Sequence, residues 1–192
     1  IFAETDDKGN LKKDAYEIAS YASKISTENG GSVNALCFNA SNAESLSDYG
    51  VNKIINSKNE ELKNFDAGNY SKCISEVFNN GKYNLLVLSS SSNSKYIGGM
   101  LSVLTDASYV TNVISKPSDG EKMTVVRNTF TNKAFETVEI IKNKIILAIS
   151  KNSFGLKEKP VMSEVVEINF NIPESKNKVK SIDRATNKVT IA

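Results

Sequence analysis

The chain has 192 residues, 40% of them hydrophobic, and 24 basic against 22 acidic side chains leave a net charge of +2. That length allows one domain or at most two, and the near-neutral balance argues against nucleic acid or an anionic membrane surface as a partner. Histidine is absent, which removes the commonest general base, the triad base and the commonest metal ligand at once.

Ile1 to Thr5 reads as the tail of a buried first strand. The start at Ile1, without methionine and already strand-like, implies that a few residues precede it. Asp6 to Asn10 is turn chemistry. Leu11, Ala15, Ile18, Ala19, Ala22 and Ile25 then fall on one face at 3.6-residue spacing and predict a helix. Asn29-Gly30-Gly31 stops it, because glycine adopts the left-handed conformation that a helix end needs. Val33 to Phe38 is a second buried strand, Ser41 to Glu44 caps a short helix through Leu46, and Val51 to Asn56 is a third strand. Tyr70, Cys73, Ile74, Val77 and Phe78 mark another amphipathic helix. Leu85 to Leu88 is apolar on both faces, as parallel strands between helix layers are. It runs into the serine tract Ser89 to Ser92 and a helix from Ser94 to Thr105.

The style changes after Asp106. Tyr109–Ser115, Met123–Phe130, Ala134–Ile140 and Ile145–Ser150 read as four strands with short connections, a meander added to a parallel sheet. Val165 to Phe170 is a further strand, and Lys178 to Asp183 a late one. Alternating helices and strands predict an α/β layer architecture. No apolar run approaches the ~18 residues of a membrane helix, and no secretory signal is visible. Cys37 and Cys73 fall in apolar patterns and read as two reduced, packed thiols of a cytoplasmic protein.

In an open parallel sheet, ligands bind beyond the carboxyl ends of the strands. Three loops qualify: Glu4 to Asp7, Asn39 to Asn42, and Ser89 to Ser94. The serine loop opens a helix, and its backbone N–H groups are suited to cradling a phosphate. The same serines serve equally as caps, and neither GxxxxGK[ST] nor GxGxxG occurs. Glu4, Asp6 and Asp7 lack the ligand spacing of a calcium loop and read as a solvated turn. Gly98-Gly99 inside a helical pattern implies close packing against the sheet. Arg127, one of only two arginines with Arg184, is a candidate interface or ion-pair residue. Without histidine, no nucleophile-and-base constellation assembles.

Several segments, taken in order, resemble a known family. They are Phe2-Ala3-Glu4 with Gly9, Leu11 and the long helix; Val33 to Leu36; Leu46-Ser47-Asp48-Tyr49-Gly50-Val51-Asn52-Lys53-Ile54; Asn84 to Ser92 with Lys95; Val126-Arg127 with Ala134 to Val138; and Ile146 to Ile149 leading to Phe154. Together they are similar to the amino-terminal domain of electron-transfer flavoprotein alpha subunits, over nearly the whole chain. There are departures. The family's glycine-asparagine hairpin appears here as Asn132-Lys133, its arginine-proline as Ser150-Lys151, and an arginine of the helix after the serine loop as Met100.

The resemblance implies a three-layer, doubly wound, mainly parallel sheet, Rossmann-like and akin to adenine-nucleotide alpha-hydrolases, with an antiparallel meander in the C-terminal half. It implies a domain over residues 1–172. Residues 173–192 would then be a linker or strand toward an FAD-binding domain absent from this chain. It implies no catalytic, cofactor-binding or metal residues here, FAD in the full-length alpha subunit, and AMP in a partner beta subunit. The intact heterodimer, cytoplasmic and bacterial, would carry electrons from dehydrogenases, such as the acyl-CoA dehydrogenases of fatty acid beta-oxidation, toward the respiratory chain. The rival expectation is a stand-alone adenine-nucleotide-binding module related to universal stress proteins.

Overall fold

The first helix forms where the apolar spacing places it. In the computed structural model, which describes residues 1–118, 120–172 and 179–181, α1 spans Lys13–Asn29 and buries Ala15, Ile18, Ala19 and Ala22. It ends at Gly30, whose φ of 68° turns its N–H back to Ser26 O, the left-handed stop that a side chain would resist. The second helix, α2 (Ala67–Asn80), is capped by Asp66, whose side chain accepts the Asn69 N–H, and buries Tyr70, Cys73, Ile74 and Phe78. The third, α3 (Ser92–Thr105), is capped by Ser91 Oγ accepting the Ser94 N–H at 3.0 Å. Each cap satisfies a donor that the helix leaves without an internal partner.

Among the described residues, eight strands make two sheets. Three of them, β1 (Asn34–Phe38), β2 (Lys53–Ser57) and β8 (Glu164–Glu167), run parallel in the order β1-β2-β8. The other five, β3 (Leu85–Ser89), β4 (Ser108–Val113), β5 (Thr124–Thr129), β6 (Ala134–Glu139) and β7 (Ile145–Ile149), are ordered β3-β7-β4-β5-β6. The first residues of the chain join the sheets. Phe2 N–H bonds Val87 O at 3.1 Å in β3, and Ala3 N–H bonds Leu36 O at 2.8 Å in β1. The strand surface is therefore continuous. One face packs on α1 around Ala19, Leu46 and Ile54; the other packs on α2 and α3 around Phe38, Leu88 and Ile97.

The meander is shorter than the sequence predicts. The pairs β4–β5 and β5–β6 are antiparallel, but β7 returns between β3 and β4 and is parallel to both. All five of its residues are buried, so it is a central strand covered on both faces. Neighbours in sequence are not neighbours in this part of the sheet. The short helix after Asn42 is a 3-10 turn over Ala43–Asp48 without a side-chain cap; Asn42 Oδ1 accepts the Leu11 N–H instead, at 2.9 Å. The expected boundary at 172/173 and the late strand at Lys178–Asp183 fall largely outside the described residues, and residues 179–181 carry no regular element. No helix among the described residues is long and apolar enough to cross a membrane.

Candidate functional site

The strand order reverses at the first segment, which is flanked by β1 on one side and β3 on the other. A doubly wound sheet opens its ligand crevice at such a switch point, beyond the carboxyl ends of the strands. Here the crevice holds Glu4, which is only 7% exposed. Ser91 Oγ donates a short hydrogen bond to its Oε1, and Ser94 Oγ donates to the same oxygen at 3.2 Å. Lys12 Nζ reaches Oε2 at 2.7 Å and Asn93 Nδ2 at 3.4 Å. A helix start, two hydroxyls and an ammonium converge as they would on a phosphate. The anion they meet is the chain's own carboxylate.

This corrects the reading of Glu4 as part of a solvated turn. Its partners Ser91, Asn93 and Ser94 lie 87 to 90 residues away, beyond the reach of local patterning. Asp6 and Asp7 are exposed as expected. Asp6 accepts the Lys8 and Asn10 N–H groups at 2.8 and 2.9 Å, and the backbone bond from Asn10 is the main cause holding its carboxyl below the ordinary value. Among the described residues no group of three His, Cys, Asp or Glu side chains is placed to hold a metal ion.

A second carboxylate was not singled out from sequence. Glu17 of α1 is buried. Its oxygens accept the backbone N–H groups of Asn152, Phe154 and Gly155 at 2.9, 2.8 and 3.1 Å. One turn on, Ser20 Oγ accepts the Lys157 N–H at 3.0 Å. The loop after β7 turns through left-handed Asn152 and Gly155, which aims its amides inward as an anion-holding concavity. Again the chain fills the seat itself. The available sign was Glu17 standing beside Ile18 and Tyr21 on a face that is otherwise buried.

The other candidates separate. Arg127 lies on β5 opposite Glu136 on β6, with its Nε 3.6 Å from Glu136 Oε2 and its side chain 29% exposed. At that distance the contact is an ion pair rather than a hydrogen bond. Arg127 Nε and the neighbouring Asn128 Oδ1 are buried without a hydrogen-bond partner among the described residues. Gly98 is explained by packing, since a Cβ there would meet the Tyr109 ring at 2.1 Å. Cys37 and Cys73 are buried free thiols, and burial pushes both up to about 12, so they are inert at neutral pH. The Asn39–Asn42 loop is occupied internally: Asn39 Nδ2 donates to Asn59 O at 2.9 Å, and Ser41 Oγ to Gly9 O at 3.0 Å.

A cavity of about 440 Å³ lies at the opposite end of the sheet, by the amino ends of the strands, lined among others by Ile1, Val33, Phe78, Leu85, Lys116 and Met123. It is chiefly apolar, and it lies away from the carboxyl-end crevice. A family model described as the electron transfer flavoprotein domain matches residues 1–176. No curated protein matches the chain.

Proposed function

This chain belongs to the electron transfer flavoprotein domain family, and from that premise we propose that it is the amino-terminal domain of an alpha subunit, acting as a docking and scaffold module. Proteins of this family are electron carriers rather than catalysts in general. The ordered segments from Phe2 to Phe154 favour the alpha subunit. The partner is then a beta subunit with a related domain. The FAD belongs to a following domain, AMP belongs to the partner, and dehydrogenases such as acyl-CoA dehydrogenases feed the assembled pair. Residues 1–172 form the folded module in this reading, and 173–192 lead onward.

One observation carries the division of labour: Glu4 sits where the switch-point crevice would receive a phosphate. The residues here therefore do not fit a flavin diphosphate or a nucleotide, and the redox chemistry is the flavin's own, supplied elsewhere. Arg127 and the exposed β5–β6 arm are the docking elements in this reading. The test is to purify the chain alone and together with a beta subunit. The expected result is a colourless fragment, no heat of binding with AMP, and co-elution with the beta subunit. A stoichiometric yellow flavin on the fragment, or micromolar AMP binding, would defeat the proposal, and the latter would favour the stand-alone nucleotide module.

A further inference from the structure

Gly98 and Gly99 are adjacent but do different work. Gly98 makes room for Tyr109, whereas a Cβ on Gly99 would meet nothing within 4 Å. A mid-helix glycine costs about 1 kcal/mol relative to alanine, and among the described residues no neighbour occupies the space that a side chain at Gly99 would fill. Tyr96 and Val103 flank it on the same outer face, 69% and 81% exposed, with Met100 exposed beside them. Residues three and four apart on a helix are neighbours, so these side chains form a single apolar stripe with a dent at Gly99.

The geometry points to a second copy of this chain as the occupant, its α3 crossing antiparallel over the first at Gly99. The stripe is self-complementary in that arrangement. A two-fold axis between positions 99 and 100 lays Tyr96 of one copy against Val103 of the other and lowers Met100 into the dent of Gly99. The ends match in charge as well. Exposed Lys95 stands in the first turn of α3, and exposed Asp106 follows its last residue. Antiparallel pairing sets each lysine beside the other copy's aspartate, although Asp106 is already paired with Lys142; parallel pairing would oppose like charges. One helix per copy buries less than the roughly 1,200 Å² of a stable interface, so the dimer is weak and exchanges quickly. This surface is separate from the β5–β6 arm.

Sedimentation velocity of the purified chain from low to high micromolar concentration tests it. A dimer fraction that rises with concentration is expected. Val103→Lys should abolish it with an unchanged melting temperature. Lys95→Glu and Asp106→Lys should each weaken it several-fold, and the double exchange should restore it. Gly99→Cys should form an interchain disulfide under mild oxidant faster than Met162→Cys, placed at a 98% exposed site elsewhere, because a glycine crossing brings Cα atoms near the about 4.4–6.8 Å that a disulfide spans. The native thiols are buried and do not interfere. A monomer at every concentration, or Gly99→Cys cross-linking no faster than Met162→Cys, would overturn the proposal. So would a monomer whose α3 is protected only when a beta subunit is added.

Discussion

The parallel half of the sheet and the antiparallel arm are built on opposite terms. In the parallel half, every residue of β7 is buried, and the serine loop and the loop after β7 are closed by the chain's own carboxylates, Glu4 on side-chain donors and Glu17 on backbone amides. In the arm, β6 is almost wholly exposed, and Phe130 and Phe135 are 75% and 73% exposed. The hairpin at its tip holds Phe130, Thr131 and Asn132 at φ of 49°, 53° and 61°, three consecutive left-handed residues without a glycine. Strain and exposed aromatics at a tip are what the docking role proposed for this arm requires. The half that looks like a ligand-binding fold is closed at its carboxyl-end crevice by Glu4, and the half that looks like an appendage is open.

The largest effect expected from this contrast is in the parallel half. Ile146→Ala should cost about 2–5 kcal/mol in denaturant unfolding, since Ile146 is fully buried between β3 and β4. A loss under 1 kcal/mol would mean that β7 is not central. The parallel half should also set the response to alkali. Burial raises Cys37 and Cys73 from an ordinary 9.0, and Tyr70 from 10.0, to about 12, and pushes Tyr21 and Tyr109 upward. The folded state keeps protons that the unfolded state releases above pH 9. Stability contributed by these groups is thus fully present below pH 9 and is lost as pH rises toward 12. Thermal melts from neutrality to pH 11 should be flat and then fall.

Next in size, Glu17→Gln should cost about 2 kcal/mol through weakened charge-assisted bonds, with faster amide exchange at Asn152, Phe154 and Gly155. Exchange that stays slow would deny the clamp. At the hairpin the sign reverses: Thr131→Gly should stabilise by about 1 kcal/mol, because glycine takes the left-handed region freely. Smallest of all, Phe135→Ala should move stability by less than about 0.5 kcal/mol while, on the proposed docking role of the arm, weakening capture of a beta subunit. A large stability loss there would merge the two regions into one.

The sequence made some of this contrast legible. The helices announced themselves because their signals are local: apolar spacing in α1, the glycine stop at Gly30, and serine and aspartate at the caps. The family resemblance rested on ordered segments of the same kind. Two features escaped because they depend on distant parts of the chain. Ile145 to Ile149 is as uniformly apolar as Leu85 to Leu88 and carries the same mark of two-sided burial, but its nearness to β6 placed it in the meander. Glu4 looked like one of three turn carboxylates because nothing near it in sequence reveals Ser91 and Ser94.

The order in which the strands assemble also bears on synthesis. Phe2 and Ala3 are made well before their hydrogen-bond partners, Val87 and Leu36, which come much later in the chain. The strand that fills the gap between β3 and β4 lies still further along, at Ile145–Ile149. Until it emerges, a nascent chain must hold an apolar slot open, with backbone donors and acceptors on both sides unpaired. Long-range parallel pairing is intrinsically slow, and such half-built sheets are prone to associate. A message cut before the codon for Ile145 should therefore yield aggregate rather than a smaller folded domain.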